Sequence, residues 1–142
     1  MFYLKIEKIF NSVEVLELDI EAKRMLYTAS VSAVKNLGRG MKFYHIILGR
    51  GNDEVAPDGS DLDLYKSGDL TWQGLMINYQ VKLRQSEAYE WMRRVSVEAV
   101  HEDVVLVDSE EDLSRSFRAA LAEMMASMFS GQMNFRYMGE LV

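Results

Sequence analysis

The chain opens on a two-residue alternation. Phe2, Leu4 and Ile6 share one side and Tyr3, Lys5 and Glu7 the other, and after the polar break Asn11-Ser12 a short period resumes from Val13 to Leu18. This predicts a hairpin or a bent strand pair. The period then lengthens: Ala22, Leu26, Ala29, Ala33 and Leu37 recur at helical spacing behind Asp19, with Gly38 after them. Asp19 suits an N-cap and Gly38 the left-handed residue past a C-terminus, so a helix is expected over about 20–37. Lys42 to Leu48 reads as an almost wholly apolar strand, while Gly49 to Asp69 shows no period and contains the single proline. A long irregular loop is expected over 49–69, and loops of that length tend to be functional.

Two stretches with alternating apolar positions follow. Thr71, Gln73, Leu75, Ile77, Tyr79, Val81 and Leu83 line one face of the first, and Tyr89, Trp91, Arg93, Val95, Val97 and Ala99 one face of the second. Both are read as long strands, with a further short strand at Val104 to Val107. Past Asp108-Ser109-Glu110-Glu111-Asp112, a capping and acidic start, Leu113, Phe117, Ala120, Leu121, Met124 and Met128 trace a helical face up to Gly131. That predicts a helix over about 109–130. Met133, Phe135 and Tyr137 alternate again, as a final edge strand would. The expected fold is α+β: one domain over 1–142, a mostly antiparallel sheet with two helices packed on it, and element order β-β-α-β-β-β-α with a possible last strand.

Composition narrows the chemistry. In 142 residues, 49% hydrophobic and 27% charged, there is no cysteine, which removes disulfides, thiolate metal sites and a cysteine nucleophile. A net charge of −6 argues against a general nucleic-acid binder. No apolar run reaches the length of a membrane span, and no basic-then-apolar signal peptide opens the chain. His45 sits within an apolar strand and His101 at a charged bend, and no Gly-x-Ser-x-Gly occurs, so a triad hydrolase is not expected. Asp58, Ser60, Asp61 and Asp63 offer spaced oxygens. An EF-hand register built on Gly59 nevertheless places Ala56 and Tyr65 at ligand positions, and the match fails. Gly38-Arg39-Gly40 and Gly49-Arg50-Gly51 lack the Lys-Ser/Thr of a phosphate loop. No catalytic residue, metal or cofactor is expected.

Charge is segregated along the chain. Residues 20–50 hold Lys23, Arg24, Lys35, Arg39, Lys42 and Arg50 against Glu21, a net of +5. Residues 51–69 hold Asp53, Glu54, Asp58, Asp61, Asp63 and Asp69 against Lys66, a net of −5. Opposed patches can pair between copies or fold back on each other. Five of the ten methionines fall between 124 and 138, where a core helix meets an apolar tail. Unbranched methionine adapts to irregular partners, and a terminal strand can add to another sheet edge. The candidate interaction residues are therefore Asp53, Glu54, Asp58, Asp61 and Asp63, Arg39 and Arg50, and Met133, Phe135 and Tyr137 in the tail.

Residues 34–70 carry a further pattern: Lys42-Phe-Tyr-His-Ile-Ile-Leu-Gly49-Arg-Gly51-Asn-Asp, then Pro57-Asp-Gly-Ser-Asp-Leu62. This quarter of the chain resembles N-terminal segments of phage tail-fibre and baseplate proteins. The resemblance implies a non-enzymatic virion protein that assembles into a multi-subunit tail. The expectation is thus a structural assembly subunit, an oligomer contacting copies of itself or other protein subunits, with no nucleic-acid or membrane partner, in a virion or the cytoplasm of the producing cell. The alternative is a monomeric acidic binding protein, such as a toxin-neutralising immunity protein using the 51–69 segment.

Overall fold

A computed structural model describes residues 25–37 and 40–142. Their strands are β1 (Met25–Ser30), β2 (Met41–His45), β3 (Asp103–Asp108) and β4 (Arg136–Leu141), in the sheet order β2-β3-β1-β4. Every pairing is parallel: β1 with β3 (Leu26 beside Val104), β1 with β4 (Met25 beside Arg136) and β2 with β3 (Met41 beside Asp103). The helices are α1 (Val31–Val34), α2 (Gly59–Ser67), α3 (Trp72–Leu83), α4 (Ser86–His101) and α5 (Phe117–Phe129), with 3-10 turns at Asp53–Val55 and Leu113–Arg115. The architecture is α/β, and the expected mostly antiparallel α+β sheet is overturned.

The two long strands are the source of that error, because both are helices. In α3 the residues Leu75, Tyr79 and Leu83 are buried at i, i+4 and i+8, whereas Ile77 and Val81 are 60% and 49% exposed. A row of odd-numbered apolar residues satisfies both a two-residue and a four-residue period. The capping decides in favour of the helix, since the Thr71 hydroxyl accepts from the Gly74 amide at 3.0 Å. In α4 the buried set Ala88, Trp91, Met92, Val95, Ser96 and Ala99 follows a helical stripe. Exposed Arg93, at a position a strand would have turned inward, is the local sign against a strand.

The other boundaries shift for equally physical reasons. Of the helix expected over 20–37, residues 20–24 lie outside the described residues, and the rest is strand β1 from Met25 followed by the four-residue α1. Five of the six β1 residues are buried, as befits a central parallel strand with both faces covered, and such a strand need not alternate in polarity. The expected 49–69 loop is largely ordered: it holds a 3-10 turn and α2, with Asp58 as N-cap and Gly68 closing the helix at φ +86°. The expected 109–130 helix shortens to α5, whose N-cap is the Ser116 hydroxyl accepting from Ala119 N. Strands at 42–48 and 104–107 do form, as Met41–His45 and Asp103–Asp108, and the tail supplies edge strand β4. The expected hairpin over residues 2–18 lies outside the described residues.

The sheet separates two apolar layers. Leu26, Val104 and Leu106 face the main core with α3, α4 and α5, around Trp91, Tyr79, Leu121 and Met125. Ala29, Val105 and Val107 face the other way, under Ala33, Val34 and Leu37 of the α1 region. The chain therefore leaves β1 across one face of the sheet and returns from β2 and β3 across the other. It moves toward β2 on the first face and back toward β4 on the second, the combination that keeps parallel crossovers one-handed.

Candidate functional site

An open parallel sheet offers a natural crevice where neighbouring strands send their connections to opposite faces, at the carboxyl ends of those strands. Here the pair is β1 and β3, with Ser30 in register with Asp108. Asp108 is buried, and its Oδ2 accepts from the backbone N–H groups of Phe117 and Arg118 at 2.9 and 3.1 Å, at the start of α5. A carboxylate there meets the positive end of the helix dipole. Its Oδ1 accepts from Arg118 Nη1.

Arg118 is wholly buried in the first turn of α5, a place where the dipole disfavours a cation. Glu140 on β4 compensates, accepting from Nε at 3.0 Å and Nη2 at 2.7 Å in a two-pronged fork, and the Glu110 carbonyl accepts from Nη1. Burial opposes the guanidinium charge, but the Glu140 and Asp108 hydrogen bonds and charges outweigh it and hold Arg118 above its ordinary range. Nearby, Ser32 Oγ donates to Glu111 Oε2 at 2.7 Å and lies 3.0 Å from Ser30 Oγ, while the Tyr137 and Thr28 hydroxyls meet at 3.0 Å. Burial pushes the Tyr137 hydroxyl up. The β1/β3 switch point is filled by an internal ion network. Asp108 accepts three donors within it.

The opposite edge of the sheet carries a second polar group. Tyr44 donates its hydroxyl to Glu98, which also pairs with Lys42 Nζ at 3.2 Å. Burial and the Glu98 carboxylate push the Tyr44 hydroxyl up. Trp91 Nε1 donates to Asn52 Oδ1 at 3.0 Å, and Asn52 Nδ2 donates to the His45 carbonyl at 3.0 Å. Tyr79 donates its hydroxyl to the Val55 carbonyl at 2.6 Å. These three bonds tie the 49–55 segment to α4 through Trp91, to the end of β2 through His45 and to α3 through Tyr79. His45, read from the sequence as part of an apolar strand, is the last residue of β2. It is half-buried, its enclosed Nδ1 finds no partner among the described residues, and burial followed by Arg50 pulls its pKa below 6.5.

The predicted interaction residues fall into two separate groups. Asp53 accepts from Gly49 N at 2.8 Å, Glu54 and Asp63 are exposed, and Asp61 is half-buried in the first turn of α2. Asp58 pairs with Lys82 of α3 at 2.8 Å. Arg50 is exposed in the turn after β2, and Arg39 lies outside the described residues. Phe135 is buried, and half-buried Met133 and Tyr137 pack against the main core. The tail group sits beside β4 and the acidic group follows β2, so opposite edges of the sheet separate them. Among the described residues no group of three or more His, Cys, Asp or Glu side chains could hold a metal ion.

Apart from Tyr137, which lines it, the sequence did not single out the outer face of α3 and α5. An open groove of about 820 Å³ runs between them, walled by Trp72, Met76 and Arg84 on one side and by Leu113, Glu123 and Met124 on the other. Ile77 and Val81 stand exposed on α3. The signal was present in the surplus of apolar positions in 75–83, more than one buried helical stripe needs. No protein-family model matches the chain, and no curated protein or solved structure is significantly similar to it.

Proposed function

We propose that this chain is a non-enzymatic assembly subunit that acts through protein–protein contacts. The observation that carries the reading is the Arg118 network. Side chains bonded to one another occupy the place where an open parallel sheet would hold a small ligand, which directs attention to the outer surface. Exposed Ile77 and Val81 on an ordered helix, beside a groove rimmed by polar residues, are the kind of surface that partners cover. No helix among the described residues is long and apolar enough to cross a membrane. A virion, as part of a phage-like tail or baseplate, is the setting suggested by the 34–70 resemblance. Light scattering on the purified chain tests the reading: a mass well above 16.3 kDa is expected, and a monomer at high concentration contradicts it.

The alternative of an acidic binding protein draws on a different observation. Asp53, Glu54, Asp58, Asp63 and Asp69 are exposed along one ordered segment, a surface suited to a basic partner such as a toxin's active site. A monomer whose binding to a basic protein weakens steeply with salt, and is lost on neutralising Glu54 and Asp63, would favour this reading over assembly.

A further inference from the structure

Resting on the assembly reading, we infer that the partner of the α3/α5 face is a second copy of this chain, seated about a two-fold axis. A two-fold contact requires one patch to be complementary to itself, so the patch must carry both a projection and a recess. This face has both. Ile77 and Val81, one turn apart on α3, form a projecting apolar ridge. The groove on the α5 side of this ridge is lined by Ala119 and Ala120 with Trp72, Met76, Leu113 and Met124, and on the ridge's other side Val81 lines a second groove with Asp58 and Lys82. Short side chains give a recess, and methionine walls adjust to what enters it. Each ridge can therefore enter the groove of the other copy.

Charge points the same way. Arg84 closes the α3 wall and Glu123 stands on the α5 wall, so the groove carries one cation and one anion on facing sides. A partner of a single sign would meet repulsion on one wall. A second copy brings its own Arg84 beside its ridge and its own Glu123 across its recess, and the axis sets Arg84 of each copy against the partner's Glu123, twice. Such duplicated pairs fix register at an otherwise apolar contact. The geometry also explains why a helix carries apolar residues on both sides: Leu75, Tyr79 and Leu83 serve the protomer core, and Ile77 and Val81 serve the dimer.

The test is light scattering on the full chain and two sets of variants. Ile77→Asp should weaken the dimer by about 30-fold or more, as loss of a central interface residue does. Its unfolding midpoint as a monomer should be unchanged, since Ile77 is 60% exposed. Arg84→Glu alone and Glu123→Arg alone should each weaken the dimer, and the double reversal should restore it. An oligomeric wild type whose mass is indifferent to all of these variants would overturn the two-fold contact while leaving assembly through another surface intact. A monomeric wild type would overturn both. Restoration by the double reversal is the result that a merely structural role for either residue would not produce.

Discussion

Arg118 grips Glu140 through two parallel hydrogen bonds, Nε at 3.0 Å and Nη2 at 2.7 Å, and thereby joins the first turn of α5 to edge strand β4. The same guanidinium reaches Asp108 at the end of β3. One buried cation therefore connects three successive elements of the β3–α5–β4 unit.

Removing that cation should be costly. Arg118→Leu leaves Asp108 buried with only backbone donors and Glu140 without its fork, so a loss of about 3–5 kcal/mol is expected. Urea unfolding measures it. Arg118→Lys should recover only part of the loss, because an ammonium cannot reproduce a planar fork. A loss below about 1 kcal/mol for Arg118→Leu would show that the network contributes little.

The helical identity of α3 makes two neighbouring positions behave differently. Leu75→Ala opens a cavity in the main core and should cost about 2–5 kcal/mol. Ile77→Ala, two residues on and 60% exposed, should change protomer stability by no more than about 0.5 kcal/mol. On a strand these residues would share one face and respond alike. Urea midpoints measured at concentrations that keep the protomers apart separate the two cases.

Asn52 accepts from the Trp91 indole and donates to the His45 carbonyl. Asn52→Ala should cost about 1–3 kcal/mol by leaving the indole N–H without its partner. It should also speed amide exchange across 49–55, the segment that the bond holds in place. Unchanged exchange there would assign the order of the segment to Tyr79 and its bond to Val55 instead.

His45 has a folded pKa below its ordinary 6.5 because burial, and then Arg50, disfavour the charged ring. Near and below pH 6.5 the unfolded chain binds the proton more readily, so this group's contribution to stability falls as pH drops through that region. It is fully present above pH 6.5. Thermal unfolding at pH 7.5 and 5.5 should therefore show a larger drop for the wild type than for His45→Gln. Equal drops would mean that the ring is hydrated in the folded state.

The reading of the sequence succeeded where one period was available and failed where two were. Val104 to Val107 is a continuous β-branched and leucine run, a strand on any reading, and it forms the centre of β3. Leu75 to Leu83 fits both periods because apolar residues occupy both faces of the helix, and the second set is the one that stays exposed. Tertiary burial overrode local spacing at Met25–Ser30, where a central parallel strand takes residues that look helical. In 59–67 the signals Pro57-Asp58 and Gly68 were legible, but α2 buries no residue fully and so shows little period. The Arg118 network pairs residues 10 and 22 positions apart, a distance that no local pattern reports. The acidic and tail residues stand out along the chain by charge and by apolar character, while their separation to opposite sheet edges follows only from the strand order β2-β3-β1-β4.

Because the chain contains no cysteine, a disulfide can be placed across the proposed contact without interference. Ile77→Cys in one preparation and Met124→Cys in another, mixed and mildly oxidised, should yield a disulfide-linked dimer, as a ridge entering its partner's groove requires. A control mixture of Ile77→Cys with Glu90→Cys, whose second site is exposed on α4, should link far more slowly. Equal rates for the two mixtures would contradict assembly through the α3/α5 face.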